Sequence, residues 1–158
     1  MAFTRKPLGR DEALLKMADL CARSEQCVFE ISRKLRLKGL SASDIEFVID
    51  ELVARRFIDE YRYARSFSRD KVRFSAWGRN KIRAALLARR IPSRTISDAF
   101  AEIDDDDYVA AVARAAGAKS GSLDLSVPRD RLVLYRYLLT RGFESDIARR
   151  EIERLCRQ

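Results

Sequence analysis

One run of apolar residues occurs three times, and no other feature of the chain restricts its fold as strongly. Leu35, Leu40, Ile45, Val48, Ile49 and Leu52 recur 51 residues later as Leu86, Ile91, Ile96, Ala99, Phe100 and Ile103. A further shift of 52 gives Leu138, Phe143, Ala148, Glu151, Ile152 and Leu155, and only Glu151 departs from apolar character. Steps of three and four place the last four members of each set on one face of a helix. Each set therefore holds the end of one helix, a short turn and the inner face of the next. Gly39 and Gly142 share one turn position, where the second copy has Arg90. A side chain at that place is expected to strain the turn.

A further helix precedes each set, marked by Leu14, Leu15 and Ala18, by Tyr63, Ala64 and Phe67, and by Tyr108, Val109 and Val112. The unit is thus a three-helix module, and the fold class is all-α. Small modules bury little surface alone, so three in tandem are expected to support their neighbours as an elongated array that can curve. Residues 1–10 read as a short flexible arm. The modules then span 11–56, 57–103 and 104–158, with the polar stretch 118–127 as a flexible connection inside the third. The nine predicted helices cover 11–22, 24–38, 43–55, 60–74, 78–90, 93–103, 105–117, 128–141 and 144–157. Ser24 is a candidate cap for the second, Ser43 with Glu46 for the third and Asp59 for the fourth. Asp104 to Asp107 put negative charge where the seventh helix dipole favours it.

Composition bounds the chemistry. The 158 residues contain no histidine, which removes the usual general base and the commonest zinc ligand. Cys21, Cys27 and Cys156 form no CxxC pair and fit a reducing, cytoplasmic setting rather than a disulfide framework. No apolar run is long enough for a membrane span, and residues 1–10 lack the apolar stretch of a secretory signal. No phosphate loop, HExxH or GxSxG pattern is present, and the stretch from Gly117 to Ser122 has Lys119 and Ser120 but lacks the first glycine and the strand that a phosphate loop needs. The run Asp104 to Asp107 offers carboxylates for a metal nuclease, but helical spacing fans them apart, so capping and solvation are the expected roles. The chain is expected to be no enzyme, with no catalytic residue, no metal and no cofactor.

The net charge of +8 is unevenly spread. Between Tyr61 and Ser97 stand Arg62, Arg65, Arg69, Lys71, Arg73, Arg79, Lys81, Arg83, Arg89, Arg90 and Arg94 against a single acid, Asp70. Residues 98–107 then hold six acids and no base. Arg62, Arg65, Arg69 and Arg73 share one helix face, with Tyr63, Phe67 and Phe74 on a neighbouring apolar one. Arg79, Arg83 and Arg90 form a similar stripe on the next helix. Stacked like charges repel by a few tenths of a kcal/mol per pair, roughly. A stripe kept without acids is read as an anion-binding surface, with an arginine-rich solvated face as the alternative, and arginine favours forked contacts to phosphate or carboxylate. Trp77 lies in the intervening turn, as either a base-stacking platform or a wedge between the two helices.

Several motifs resemble the RecX family. Arg23-Ser24-Glu25 opens a helix ending in Lys38-Gly39-Leu40, as in that family's first module. Phe57-Ile58-Asp59-Glu60-Tyr61-Arg62-Tyr63-Ala64 is similar to its signature of a hydrophobic residue, Ile/Leu-Asp-Asp/Glu and aromatic-Ala. Gly78 followed by Ile82, Leu86 and Ile91 resembles the second module, and Arg141-Gly142-Phe143 its late Arg-Gly-Phe. The departures are Glu60 for the usual second aspartate, Arg90 for a turn glycine and the polar insert after Gly117. The resemblance implies a modulator, most often an inhibitor, of RecA recombinase, acting on its filament and on single-stranded, and also double-stranded, DNA in recombination, DNA repair and the SOS response. It implies binding along the filament groove without catalysis, by a monomer. The alternative from the residues is a stand-alone DNA-binding protein of helix-turn-helix type.

Overall fold

A computed structural model describes residues 6–158, so half of the expected arm, residues 1–5, lies outside the described residues. Every regular element among the described residues is an α-helix. In chain order these are α1 (Arg10–Arg23), α2 (Val28–Leu37), α3 (Ala42–Ala54), α4 (Glu60–Ser75), α5 (Arg79–Ala88), α6 (Ser93–Phe100), α7 (Asp105–Ser120), α8 (Pro128–Thr140) and α9 (Ser145–Cys156). They fall into two compact units divided between Tyr63 and Ala64.

The repeated turn is the same hydrogen-bonded device three times. Gly39, Arg90 and Gly142 all have positive φ, at 87°, 59° and 96°. In each copy the next residue donates back across the turn, Leu40 to Leu35 O, Ile91 to Leu86 O and Phe143 to Leu138 O, at 3.1–3.2 Å. The turn residues themselves donate to Arg36 O, Leu87 O and Leu139 O. This pair of bonds is the Schellman motif, which satisfies the last carbonyls of a helix and brings together the apolar residues flanking the turn. All six of those flanking residues are buried. Arg90 adopts the left-handed conformation without glycine's freedom, as its place in the repeat requires.

In the first unit Ala13, Met17, Ile31, Leu35, Leu40, Val48, Leu52 and Ile58 form one core cluster. In the second unit the equivalent faces of α6 and α9 bury Ile96, Ala99 and Phe100, and Ala148 and Ile152. Glu151, the odd member of the repeat, is also buried and is held by two bonds from Arg154, at 2.6 and 3.0 Å.

Several local expectations are corrected. Ser24 does not cap α2. Its N–H closes α1 onto Leu20 O and its hydroxyl accepts from the Gln26 amide, so α2 starts later, after Cys27. The α3 cap is Ser41 rather than Ser43, accepting from the Asp44 N–H at 3.2 Å. On α1 the inward residues are Ala13 and Met17, and Leu15 is 73% exposed. Phe74 and Val109 are likewise exposed, at 82% and 64%, because the buried face of α4 passes through Ala64, Ser68 and Val72 and that of α7 through Tyr108, Ala111, Val112, Ala115 and Ala116. Ala118–Ser120 is the last turn of α7, not part of a connection. The rest of that segment is tied down locally: Asp124 N–H donates to Asp130, Ser126 donates to Asp124, and Arg131 donates to Leu125 O and Ser126 O. Asp59 does cap α4, accepting from Arg62 N–H at 2.9 Å. Asp104 caps α7 by accepting from Asp107 N–H.

Candidate functional site

The eleven basic residues expected to form one surface divide by what each side chain touches. Arg62 is a tie within the first unit. Its Nε lies 2.5 Å from Glu25 and its terminal nitrogen donates to Arg56 O and Phe57 O. The hydrogen bond to Glu25 raises its proton affinity further.

Arg65, Arg69 and Arg73 keep the shared face expected of them, and while exposed they line an open cleft of about 320 Å³. Val72, Ala99 and Ile103 supply its apolar part, and Glu102, Asp104 and Asp107 also line it. Arg73 pairs with Asp107 at 2.6 Å, and that bond raises the guanidinium's proton affinity. Arg69 lies 3.4 Å from Asp70. Glu102, Asp104 and Asp107, separate from the arginines in sequence, thus share a cleft with them in space. Arg114, which no charge run along the sequence picks out, donates to Val72 O and Arg73 O and caps the last carbonyls of α4.

On α5, Arg79 is structural. Its guanidinium lies 3.9 Å from the centroid of the Tyr108 ring and 3.3 Å from Glu144. Its backbone N–H donates to the Tyr108 hydroxyl, which in turn donates to Glu144 at 2.8 Å. Burial, first of all, pushes the Tyr108 hydroxyl well above its usual range. Arg83 donates to Asn80 and lies 5.1 Å from the Phe100 ring centroid. Arg89 donates to Ala85 O and lies over Phe67. Arg90 sits in the turn beyond α5, so the expected stripe of Arg79, Arg83 and Arg90 is interrupted by the helix end. Arg94 is exposed in the first turn of α6.

The α4–α5 turn gathers the remaining cations around Trp77. Lys71 Nζ lies 4.6 Å and Lys81 Nζ 4.4 Å from its ring centroid, and Phe67 meets the indole edge-on at 6.4 Å. The Trp77 backbone N–H donates to Lys71 O. Trp77 therefore fills the wedge role, with cations against its ring. Arg141 reaches this turn from beyond α8 and donates to Ser75 O and Ala76 O. Gly78 donates to Arg141 O and Asn80 to Gly142 O, so the two turns are zipped backbone to backbone. A Cβ on Gly78 or on Gly142 would fall under 3.0 Å from the opposing backbone. Charge counting along the sequence passes over Arg141, although the Arg-Gly-Phe motif contains it; its role depends on a contact 66 residues away.

Among the described residues no group of three or more Cys, Asp or Glu side chains is placed to hold a metal ion. No described helix is long and apolar enough to cross a membrane.

Residues 59–99 match the family model for the second three-helix domain of RecX. The chain is 30% identical over 152 residues to the regulatory protein RecX of Prosthecochloris aestuarii, covering 96% of this chain and 95% of that one. It is 28% identical over 127 residues to the regulatory protein RecX of Vibrio parahaemolyticus, covering 80% and 81%. Among solved structures, RecX from Lactobacillus salivarius superposes with a TM-score of 0.78 at 21% identity, over 94% of this chain and 97% of that one. A second crystal structure of regulatory protein RecX gives 0.75 at 20% identity, over 87% and 68%. At these identities the structures speak for the fold alone.

Proposed function

The chain belongs to the RecX family, and from that premise we propose that it is a regulatory protein that binds RecA recombinase and its nucleoprotein filament and lowers ATP hydrolysis and strand exchange. The observation that carries this reading is identity along nearly the whole length of a protein named as regulatory. The basic α4–α5 region supports it, since a filament on DNA offers both phosphate and acidic protein surface. The chain works as three modules, 11–56, 57–103 and 104–158, and the match over residues 59–99 to a second three-helix domain supports the middle one.

Of the eleven basic residues, Arg65 and Arg69 are best suited to a protein surface of mixed charge. They are exposed, forked donors, and the acids beside them in the cleft discourage phosphate while admitting the mixed charges of a protein. Arg62, Arg73 and Arg79 contribute by holding the scaffold. The test is a titration of this protein into RecA, ATP and single-stranded DNA. ATP hydrolysis and joint-molecule formation fall at or below stoichiometric amounts. No effect at several-fold excess overturns the reading. Sequence-selective duplex binding that survives raised salt would instead favour a stand-alone DNA-binding protein.

A further inference from the structure

We propose that Lys71 and Lys81, held on Trp77 in the α4–α5 turn, form a contact site for the phosphodiester backbone of single-stranded DNA that takes no account of base identity. The proposal rests on the DNA half of the reading above and is independent of RecA.

Three cations converge at this turn. Lys71 and Lys81 both lie against the one indole ring, and neither has an ion pair among the described residues. Arg141 is fixed beneath the turn by the carbonyls of Ser75 and Ala76, and its Nε is buried with no hydrogen-bond partner. The concentration of charge is felt inside the protein: Lys81 holds its proton less tightly than usual, through burial first and then through Arg141 and Lys71. The indole offsets some of the repulsion through the negative face of its ring. It supplies no net negative charge. An anion from outside the chain completes the cluster.

The anion is phosphate for two reasons. Lysine is a point charge whose donors swing freely, so it can follow phosphate oxygens along a flexible backbone without one fixed geometry. The neighbouring arginine cleft, in contrast, contains Glu102, Asp104 and Asp107, which repel phosphate. The contact ignores base identity because Trp77, the aromatic side chain that could stack a base here, already has its ring engaged by the two ammoniums and by Phe67.

Trp77 is the only tryptophan in the chain, so emission excited where tyrosine does not absorb reports on this site alone. The full-length protein is titrated at low salt with oligo-dT, with base-free linear polyphosphate and with polyglutamate, while a labelled oligo-dT follows total binding by anisotropy. Oligo-dT and polyphosphate are both expected to change Trp77 emission, and polyglutamate to act only far more weakly. Lys71→Gln combined with Lys81→Gln lowers oligo-dT affinity at low salt. It also reduces the slope of log K against log salt by about 0.7 for each lysine removed. Lys71→Arg combined with Lys81→Arg retains binding, and far-UV circular dichroism checks that both variants are folded. An emission change with oligo-dT but not with polyphosphate overturns the proposal in favour of base stacking. Polyglutamate acting as strongly as polyphosphate overturns it in favour of a protein surface. Unchanged emission with anisotropy-detected binding also overturns it, placing DNA elsewhere and leaving the DNA reading standing. No binding by either readout removes that reading and the proposal together.

Discussion

The turns at Gly39 and Gly142 have the same hydrogen bonds and nearly the same left-handed backbone, yet they carry different loads. Nothing lies within 4 Å of where a Cβ on Gly39 would stand. At Gly142 the same Cβ would meet Lys81 and the carbonyl of Gly78. The first turn needs glycine only for its φ. The second needs it also because another turn packs against it. The middle copy, with Arg90, shows that the φ requirement alone is tolerable. A repeat thus keeps a local device while the surroundings of each copy diverge.

This comparison can be broken by experiment. Gly142→Ala is expected to cost the most, about 2–4 kcal/mol, from overpacking added to a strained φ. Urea unfolding measures it, and a cost no greater than that of Gly39→Ala removes the close approach from the account. Next, Tyr108→Phe deletes a hydroxyl that bridges Arg79 N–H and Glu144 beside the buried Phe143 ring, 5.7 Å from the Tyr108 ring. The loss is expected to be about 1–2 kcal/mol, because both partners lose a hydrogen bond. An unchanged urea midpoint shows that water replaces the hydroxyl. Gly39→Ala should cost about 1 kcal/mol, the conformational penalty alone. The smallest effect has the opposite sign: Arg90→Gly is expected to raise stability by up to about 1 kcal/mol by relieving the left-handed turn. A fall in melting temperature would mean that contacts of the Arg90 side chain outweigh its backbone strain.

Much of the fold is legible in the sequence because its determinants are local. A helix face has a fixed period, and a Schellman turn is completed by residues five apart, so Leu35–Leu40, Leu86–Ile91 and Leu138–Phe143 align without any structure. Caps are less legible. Ser24, Ser41 and Ser43 are the same residue type, yet only Ser41 caps a helix, by accepting from Asp44 N–H, while Ser24 is taken up by the Gln26 amide. The inward face of α1 centres on Ala13 and Met17, one position before Leu14 and Ala18, and α7 buries Tyr108 and Val112 as expected but leaves Val109 outside, because the packing does not cover every apolar residue.

The candidate site is legible only as a concentration of charge. The sequence by itself determined the succession of helices, three copies of one turn and the segment on which the positive charge falls, since periodicity and charge counts need no distant contact. The tertiary structure decided which of those charges face outward. Arg62 meets Glu25 across 37 residues, Arg73 meets Asp107 across 34, and Arg79 meets Glu144 across 65. An ion pair is fixed by where the backbone brings two side chains. No spacing along the chain separates an arginine that serves as a strut from one available to a partner.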